Sequence, residues 1–235
     1  MNNTIAAEKI LAIDIGGSNI KAILLNKKGE ALNSYQKIPT PENGGPQEVL
    51  DAILKLTQDI KNFDAVSVGF PGYVKKGVVY TAPNLGTEKW NRVPFCEILM
   101  HALKKPVQLL NDADIQGFGV IKGDGMEIVV TLGTGFGTAL FYDGQLLPHL
   151  ELAHHPVAKK KTYDQYIGDE ALEDVGEEKW NERIKKVIGI LKTVFNYDHL
   201  YIGGGNAKKI DFKLDDNITI VNNQEGIKGG AKLWQ

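Results

Sequence analysis

Two spacings of apolar residues organise this chain. The unbroken run Ile10-Leu11-Ala12-Ile13 reaches Asp14, turns through Gly16-Gly17 and resumes as Ile20-Lys21-Ala22-Ile23-Leu24-Leu25. That pattern predicts strand, tight turn and strand. Ala31 to Gln36 predicts a third short strand, and the proline- and glycine-rich stretch from Pro39 to Pro46, with Asn43-Gly44-Gly45, a rigid crossing. From Gln47 to Asn62 the spacing becomes helical, with Val49, Ile53, Leu56 and Ile60 on one face. Ala65 to Val68 is a short buried strand running into the turn Gly69-Phe70-Pro71-Gly72. A helix is predicted over Phe95 to Lys104, a strand over Val107 to Leu110 and a helix over Ile115 to Ile121. Tyr163 to Asn196 predicts two helices broken at Gly176. His199 to Ile202 is a strand feeding Gly203-Gly204-Gly205, and Ile218 to Val221 is a last strand before Asn222 to Lys232 leads into a C-terminal helix.

The first hairpin has a second copy. With residue 14 placed over residue 131 and no gaps, Ile15-Gly16 meets Leu132-Gly133 and Ala22-Ile23 meets Ala139-Leu140. Each copy is strand, glycine-rich turn, strand. Glycines in such turns permit positive φ and close approach of a ligand to main-chain N–H groups, so Gly16, Gly17 and Ser18, with Gly133, Thr134 and Gly135, are candidate phosphate holders. Lys21 and Thr131 join that set, and Asp14 is placed to hold Mg²⁺ directly or through water. For one hairpin alone, a capping aspartate in a tight turn explains the residues equally well. Repetition after half a chain favours two similar domains facing each other across a cleft, with boundaries expected at 1–122 and 123–235 around the loop Lys122-Gly123-Asp124-Gly125. Gly133 to Gly137 is not a dinucleotide fingerprint, because it leads into strand-like residues rather than a helix. No P-loop motif occurs either.

Chemistry also gathers at strand ends. Asn111-Asp112 lies where a strand opens into a helix, the place where α/β folds put ligands, although helix capping is a common use of Asp112 and Asp114 at such a point. Asn84, in Thr81-Ala82-Pro83-Asn84-Leu85, carries an amide that both donates and accepts; alone it reads as an ordinary turn residue. Trp90 is either core or a shield over a pocket.

With 235 residues, 43% hydrophobic, the chain can bury one large core or two small ones. A net charge of −2 without long basic stretches gives a nucleic-acid surface no support. The single cysteine, Cys96, excludes an internal disulfide framework and a multi-cysteine zinc site. Met1 to Lys9 has no apolar core for a signal peptide and no run is long enough to span a membrane, so a cytoplasmic location is expected.

Asp14-Ile-Gly-Gly-Ser, Gly69-Phe-Pro-Gly72, Ala82-Pro-Asn-Leu85, Leu110-Asn-Asp-Ala-Asp114, Thr131-Leu-Gly-Thr-Gly-Phe-Gly137, Glu151-Leu-Ala-His154 and Gly203-Gly-Gly205 occur in order. That succession resembles the ROK sugar kinases, and within them the compact polyphosphate glucokinase branch. The resemblance implies the α/β, two-domain actin-like ATPase (ribonuclease H-like) fold. It implies phosphoryl transfer from polyphosphate, ATP or both to the 6-hydroxyl of glucose, with Mg²⁺. Asp112 matches the family's general base; Asn84, Asn111, Glu151, His154 and the Gly72 loop match sugar contacts, and Gly203, Gly204 and Gly205 match a loop near the donor. Ala153 stands where the family has glycine, which bears on the reach of His154. Cysteines that bind zinc in most members are missing, so no zinc is expected. A homodimer is implied by resemblance alone. The short second half favours polyphosphate mildly; Lys159-Lys160-Lys161 is either a donor contact or a solvated surface run.

Two other readings stay open. One keeps the chemistry and changes the acceptor to another hexose or an N-acetylated amino sugar. The other is a non-catalytic sugar sensor, against which the presence of both Asp14 and Asp112 counts. Direct repression is not expected, since only a short tail precedes the first hairpin.

Overall fold

The computed structural model describes residues 7–42, 44–222 and 226–235. Asn43, most of the N-terminal tail and 223–225, on which parts of the sequence reading fall, lie outside the described residues. The chain forms two compact units, residues 1–119 with 227–235, and 120–226.

The first unit is built on β1 (Lys9–Ile15), β2 (Asn19–Asn26), β3 (Gln36–Pro39), β4 (Ala65–Phe70), the small hairpin β5 (Val74–Lys75) and β6 (Val78–Val79), and β7 (Val107–Asn111). Its helices are α1 (Pro46–Thr57), α2 (Thr87–Trp90), α3 (Phe95–Leu103) and α4 (Asp112–Val120). The main sheet has the order β3-β2-β1-β4-β7; β1 is antiparallel to β2 and parallel to β4, which is parallel to β7. The continuous apolar run in β1 has a simple cause, since both its faces are covered. Leu11, Ile13 and Ile15 join the core with Val49, Ile53 and Phe95, while Ile10 and Ala12 pack on the opposite side with Ala231.

The second unit repeats the plan with β8 (Met126–Leu132), β9 (Phe136–Tyr142), β10 (Gln145–Leu146), β11 (Pro156–Ala158), β12 (Lys161–Thr162), β13 (His199–Gly203) and β14 (Ile218–Ile220). Sheet order is β10-β9-β8-β13-β14, again antiparallel on one side of the first strand and parallel on the other. A 3-10 turn spans Leu152–His154, and α5 (Tyr163–Ile167) precedes α6 (Asp169–Phe195). The hairpins differ by one residue: Ile15 pairs with Ile20, leaving 16–19 in the first turn, and Leu132 pairs with Phe136, leaving 133–135 in the second.

Several expectations need correction. The third strand is Gln36–Pro39 rather than Ala31 to Gln36. Asn33 Oδ1 accepts from Leu24 N at 2.7 Å, so a side chain fills the ladder position and pairing resumes only at Gln36 with Ala22. The first helix stops at Thr57, where the chain tightens into a turn with Ile60 N donating to Thr57 O at 3.0 Å, and Asn62 beyond it is left-handed with a φ of 61°. Gly69 and Phe70 belong to β4. The helix opening at Asn111-Asp112 starts at Asp112, three residues before the expected Ile115. Between Tyr163 and Asn196 the chain breaks twice, at Gly168 and at Gly176, whose φ of 77° and ψ of 166° are non-helical.

The expected boundary at 122/123 lies at 119/120, and the last nine described residues belong with the first unit instead of the second. Ser67 Oγ donates to Gly230 O at 2.5 Å, Trp234 Nε1 to Ser67 Oγ at 2.9 Å and Gln108 Nε2 to Leu233 O at 2.8 Å. The short helix α7 (Gly229–Lys232) thereby covers the face of β1 that α1 does not reach. A Cβ on Gly229 would lie 1.8 Å from Ile115 O, so only glycine lets α7 sit against α4. At the start of the second unit, buried Glu127 accepts from Lys122 N, Gly123 N and Tyr201 Oη at 2.8, 2.6 and 2.7 Å, fixing the loop expected as the boundary. No helix among the described residues is long and apolar enough to cross a membrane.

Candidate active site

In the first unit three neighbouring parallel strands end together. Asp14 on β1 pairs in register with Gly69 on β4, and Gly69 with Leu110 on β7, one residue before Asn111 and two before Asp112. A Cβ on Gly69 would lie 3.4 Å from Asp112 Cα and 3.8 Å from Asp14 Oδ1, so both aspartates border that glycine. Lys21 lies opposite Asp14 across the hairpin, Nζ to Oδ2 3.2 Å. Asn84, on an exposed turn, comes beside the hairpin: a Cβ on Gly17 would be 3.4 Å from Asn84 Cβ. Asp14, Lys21, Gly17, Ser18, Asn84, Asn111 and Asp112 are thus gathered at one edge of one sheet, where strand carboxyl ends carry ligands.

Asn111 is buried and its amide is used twice within the protein. Nδ2 donates to Gly72 O at 3.1 Å, and Oδ1 accepts from Ala113 N at 2.8 Å, a capping bond on the first turn of α4. One amide hydrogen is left for a ligand. Asp112 Oδ1 also accepts from Ala113 N, at 2.9 Å. Gly72 is held close by the neighbouring turn, since a Cβ there would fall 2.1 Å from Thr81 O.

The hairpin glycines serve close approach rather than positive φ; none of Gly16, Gly17, Gly133 and Gly135 is left-handed. Gly16 N donates to Asn19 O at 3.0 Å and Gly133 N to Gly135 O at 3.2 Å. Those two N–H groups are spent inside the turns, which leaves Gly17, Ser18 and Thr134 exposed at the tips, with Gly135 beside them. Thr40, which the sequence did not single out, braces the first turn through Oγ1 to Gly16 O at 2.6 Å and N to Ser18 O at 3.0 Å. Burial, with the nearby Asp14 charge, pushes the Tyr35 phenol up to about 12. Trp90 is core, fully buried against Phe70 and Phe95 with Nε1 donating to Gly44 O at 2.6 Å, and shields no pocket.

The second unit has its own cluster. Asp164 Oδ1 accepts from Phe136 N at 2.6 Å, and a Cβ on Gly135 would meet that oxygen at 2.7 Å. Gly204, with φ of 89°, would place a Cβ 2.2 Å from Leu132 O, and Asn206 bonds both Leu132 O and Asp169 Oδ1. The Gly203-Gly204-Gly205 loop is therefore packed directly on the second hairpin beside Thr131, which pairs with Gly203. Glu151 directly precedes the 3-10 turn and His154 ends it, Nε2 to Oε2 3.9 Å. Lys159, Lys160 and Lys161 form the exposed end of the β11–β12 hairpin. The sequence reading passed over Asp164, Asp169, Asn206 and His149; of these only Asp164 left a signal, inside the capping box Thr162 to Gln165.

Among the described residues no three His, Cys, Asp or Glu groups converge on a metal position. A cation shared between one carboxylate, water and the phosphates of a donor needs no such cage, and Asp14 at the mouth of the phosphate turn suits that use.

A model of the ROK family matches residues 10–155. The chain belongs to the ROK family. Polyphosphate glucokinase of Mycobacterium tuberculosis is 29% identical over 235 residues, covering 93% of this chain and 88% of that protein. Its counterpart from Mycobacterium leprae is 28% identical, covering 97% and 75%. Among solved structures, the inorganic polyphosphate/ATP-glucomannokinase from Arthrobacter sp. strain KM superposes with a TM-score of 0.85 at 28% identity, covering 96% of this chain and 98% of that one. A ROK glucokinase from Streptomyces griseus shares the fold, with a TM-score of 0.78 at 19% identity over 96% and 98%. This ROK protein is a sugar kinase of the hexokinase type with the actin-like two-domain fold, and within the family it is most similar to the polyphosphate glucokinases.

Proposed function

We propose that the chain transfers a phosphoryl group from polyphosphate, ATP or both to the 6-hydroxyl of glucose, with Asp112 as general base. The observation that carries this reading is the meeting of Asp14, Gly69, Asn111 and Asp112 at the ends of three adjacent parallel strands. Phosphoryl transfer needs a positioned hydroxyl, a base for its proton and neutralised donor charge. Asp112 takes the proton of the primary hydroxyl, and Asn84 and the remaining amide hydrogen of Asn111 orient the sugar. Glu151 and His154 are further sugar ligands. Main-chain N–H groups of Gly17, Ser18, Thr134 and Gly135, with Lys21 and Thr131, hold donor phosphates, and the Gly203-Gly204-Gly205 loop lies toward the far end of the donor. Mg²⁺, held by Asp14 directly or through water, supplies charge neutralisation on the transferred group when bound.

Polyphosphate as donor is supported by the names of the mycobacterial relatives and by the exposed lysines at 159–161. Mannose is a second acceptor to test, because the Arthrobacter structure is of a glucomannokinase. Assembly as a homodimer and a cytoplasmic location belong to the same proposal and rest on the resemblance.

The test is a coupled assay for sugar 6-phosphate with Mg²⁺, glucose or mannose, and ATP or polyphosphate, run on wild type and Asp112→Asn. Product that falls by two or more orders of magnitude in the variant, with glucose binding retained by calorimetry, is expected from loss of general-base assistance. Near-normal turnover in a folded variant removes Asp112 from that role. No product from any pair, with clear glucose binding, makes the chain a sensor.

A further inference from the structure

Glu151, assigned above to the sugar, has an oddly placed carboxylate, and the role inferred for its neighbour His149 rests on that assignment. Oε1 is buried and has no hydrogen-bond partner, while Oε2 faces His154 Nε2 at 3.9 Å. A buried acceptor without a donor costs about 1–3 kcal/mol, and more when charged, so such an atom is kept where a donor can reach it. His149 can supply that donor: its side chain is only 7% exposed and its Nε2 lies 3.6 Å from Oε1.

The backbone between them is fixed. Thr138 Oγ1 on β9 donates to Leu150 O at 3.0 Å, Leu152 N to Leu150 O at 2.9 Å, and His154 N to Glu151 O at 3.2 Å. With the main chain pinned on both sides of Glu151, the separation closes by side-chain torsion alone. A charge-assisted bond of about 2.7–2.9 Å lies less than 1 Å away.

The geometry points to His149 as a positioning residue for the sugar site. It donates Nε2–H to Glu151 Oε1, which turns Oε2 and leaves that oxygen, beside His154, to accept from a sugar hydroxyl. The histidine never meets the sugar; it sets the direction of the group that does. If the sugar itself satisfies Oε1, His149 is a bystander, and the two arrangements predict different kinetics.

The experiment measures glucose KM, donor KM and kcat for wild type, Glu151→Gln, Glu151→Ala, His149→Phe, His149→Leu, His149→Gln and the double variant Glu151→Ala/His149→Phe, with glucose affinity by calorimetry. Glutamine keeps a donor near the position of Nε2; phenylalanine keeps the ring without one. Expected is a glucose KM about tenfold higher for His149→Phe, the scale of one charge-assisted bond, with kcat and donor KM within about twofold. His149→Gln recovers most of that loss, and His149→Phe adds nothing in the Glu151→Ala background, which has no acceptor for the ring, because the ring acts through the Glu151 side chain. His149→Leu carries the same comparison should the phenylalanine variant not fold. An unchanged glucose KM in a folded donor-free variant, no recovery by glutamine, or a full penalty in the Glu151→Ala background overturns the inference. If Glu151→Gln keeps wild-type glucose affinity, the assignment of Glu151 falls and this inference with it; that arm separates the two failures.

Discussion

Replacing Asn111 by aspartate exchanges one amide nitrogen for an oxygen at the point where the Gly72 turn meets the helix of the proposed base. Asn111 is 7% exposed, donates to Gly72 O at 3.1 Å and accepts from Ala113 N at 2.8 Å. Truncation to alanine removes both bonds, but Ala113 N keeps Asp112 Oδ1 at 2.9 Å, so the buried orphan is the Gly72 carbonyl. One orphaned acceptor costs about 1–3 kcal/mol. Aspartate keeps the bond from Ala113 N and sets an oxygen against the Gly72 carbonyl, burying a charge without its own partner, for about 3–5 kcal/mol. The isosteric change is thus expected to be worse than the truncation. In urea unfolding followed by circular dichroism, with a slope of about 2–3 kcal/mol per molar, the midpoint should fall by about 0.3–1.5 M for Asn111→Ala and about 1–2.5 M for Asn111→Asp. An aspartate variant at or above the alanine midpoint refutes the reasoning, because the amide would then be turned or unused.

Gly204→Ala forces a side chain into a φ of 89° and places its Cβ 2.2 Å from Leu132 O, so donor KM should rise at least about fivefold with glucose affinity unchanged, as the second phosphate turn shifts; equal donor kinetics would detach the loop from the donor. Gly229→Ala sets a Cβ 1.8 Å from Ile115 O and displaces α4, so the melting temperature should drop by about 5 °C or more together with kcat, read by calorimetry and the coupled assay. Burial holds the phenols of Tyr35, Tyr163, Tyr197 and Tyr201 above their usual value of 10.0, Tyr35 with help from Asp14 and Tyr201 from Glu127. Since the fold favours the protonated phenols, their contribution is complete below about pH 10 and is lost as pH rises through the raised values. Stability against urea should decline from pH 10 upward, less steeply in Tyr201→Phe; an equal slope in that variant would take Tyr201 out of the effect.

The two glycine-turn hairpins and the strand-end positions of Asp14, Asn111 and Asp112 were legible because each is written locally: a carboxylate or amide stands at the end of an apolar run, followed by glycine or a helix start. The repeat was legible for the same reason, and the two sheets share one strand order. Trp90 was ambiguous, since an indole against Phe70 and Phe95 and an indole over a pocket read alike in a sequence. The slip of β3 depends on the Asn33 side chain replacing a backbone partner, which no periodicity records. His149 was missed because its meaning lies in one buried oxygen two residues away, and the return of α7 to the first unit because its glycines matter only against Ile115 and Ser67.

That return has a consequence for synthesis. Everything the second unit needs for its own sheet, from β8 to β14, is contiguous and emerges from the ribosome before residue 227. The first unit, although begun earlier, lacks the residues that cover one face of β1 until the last nine have been made. The later half can therefore close while the earlier half still exposes Ile10, Ala12, Ile23 and Leu25. Domains usually complete in the order of their synthesis; here the second unit has all the strands of its sheet before the first has residues 227–235, which cover that face of β1.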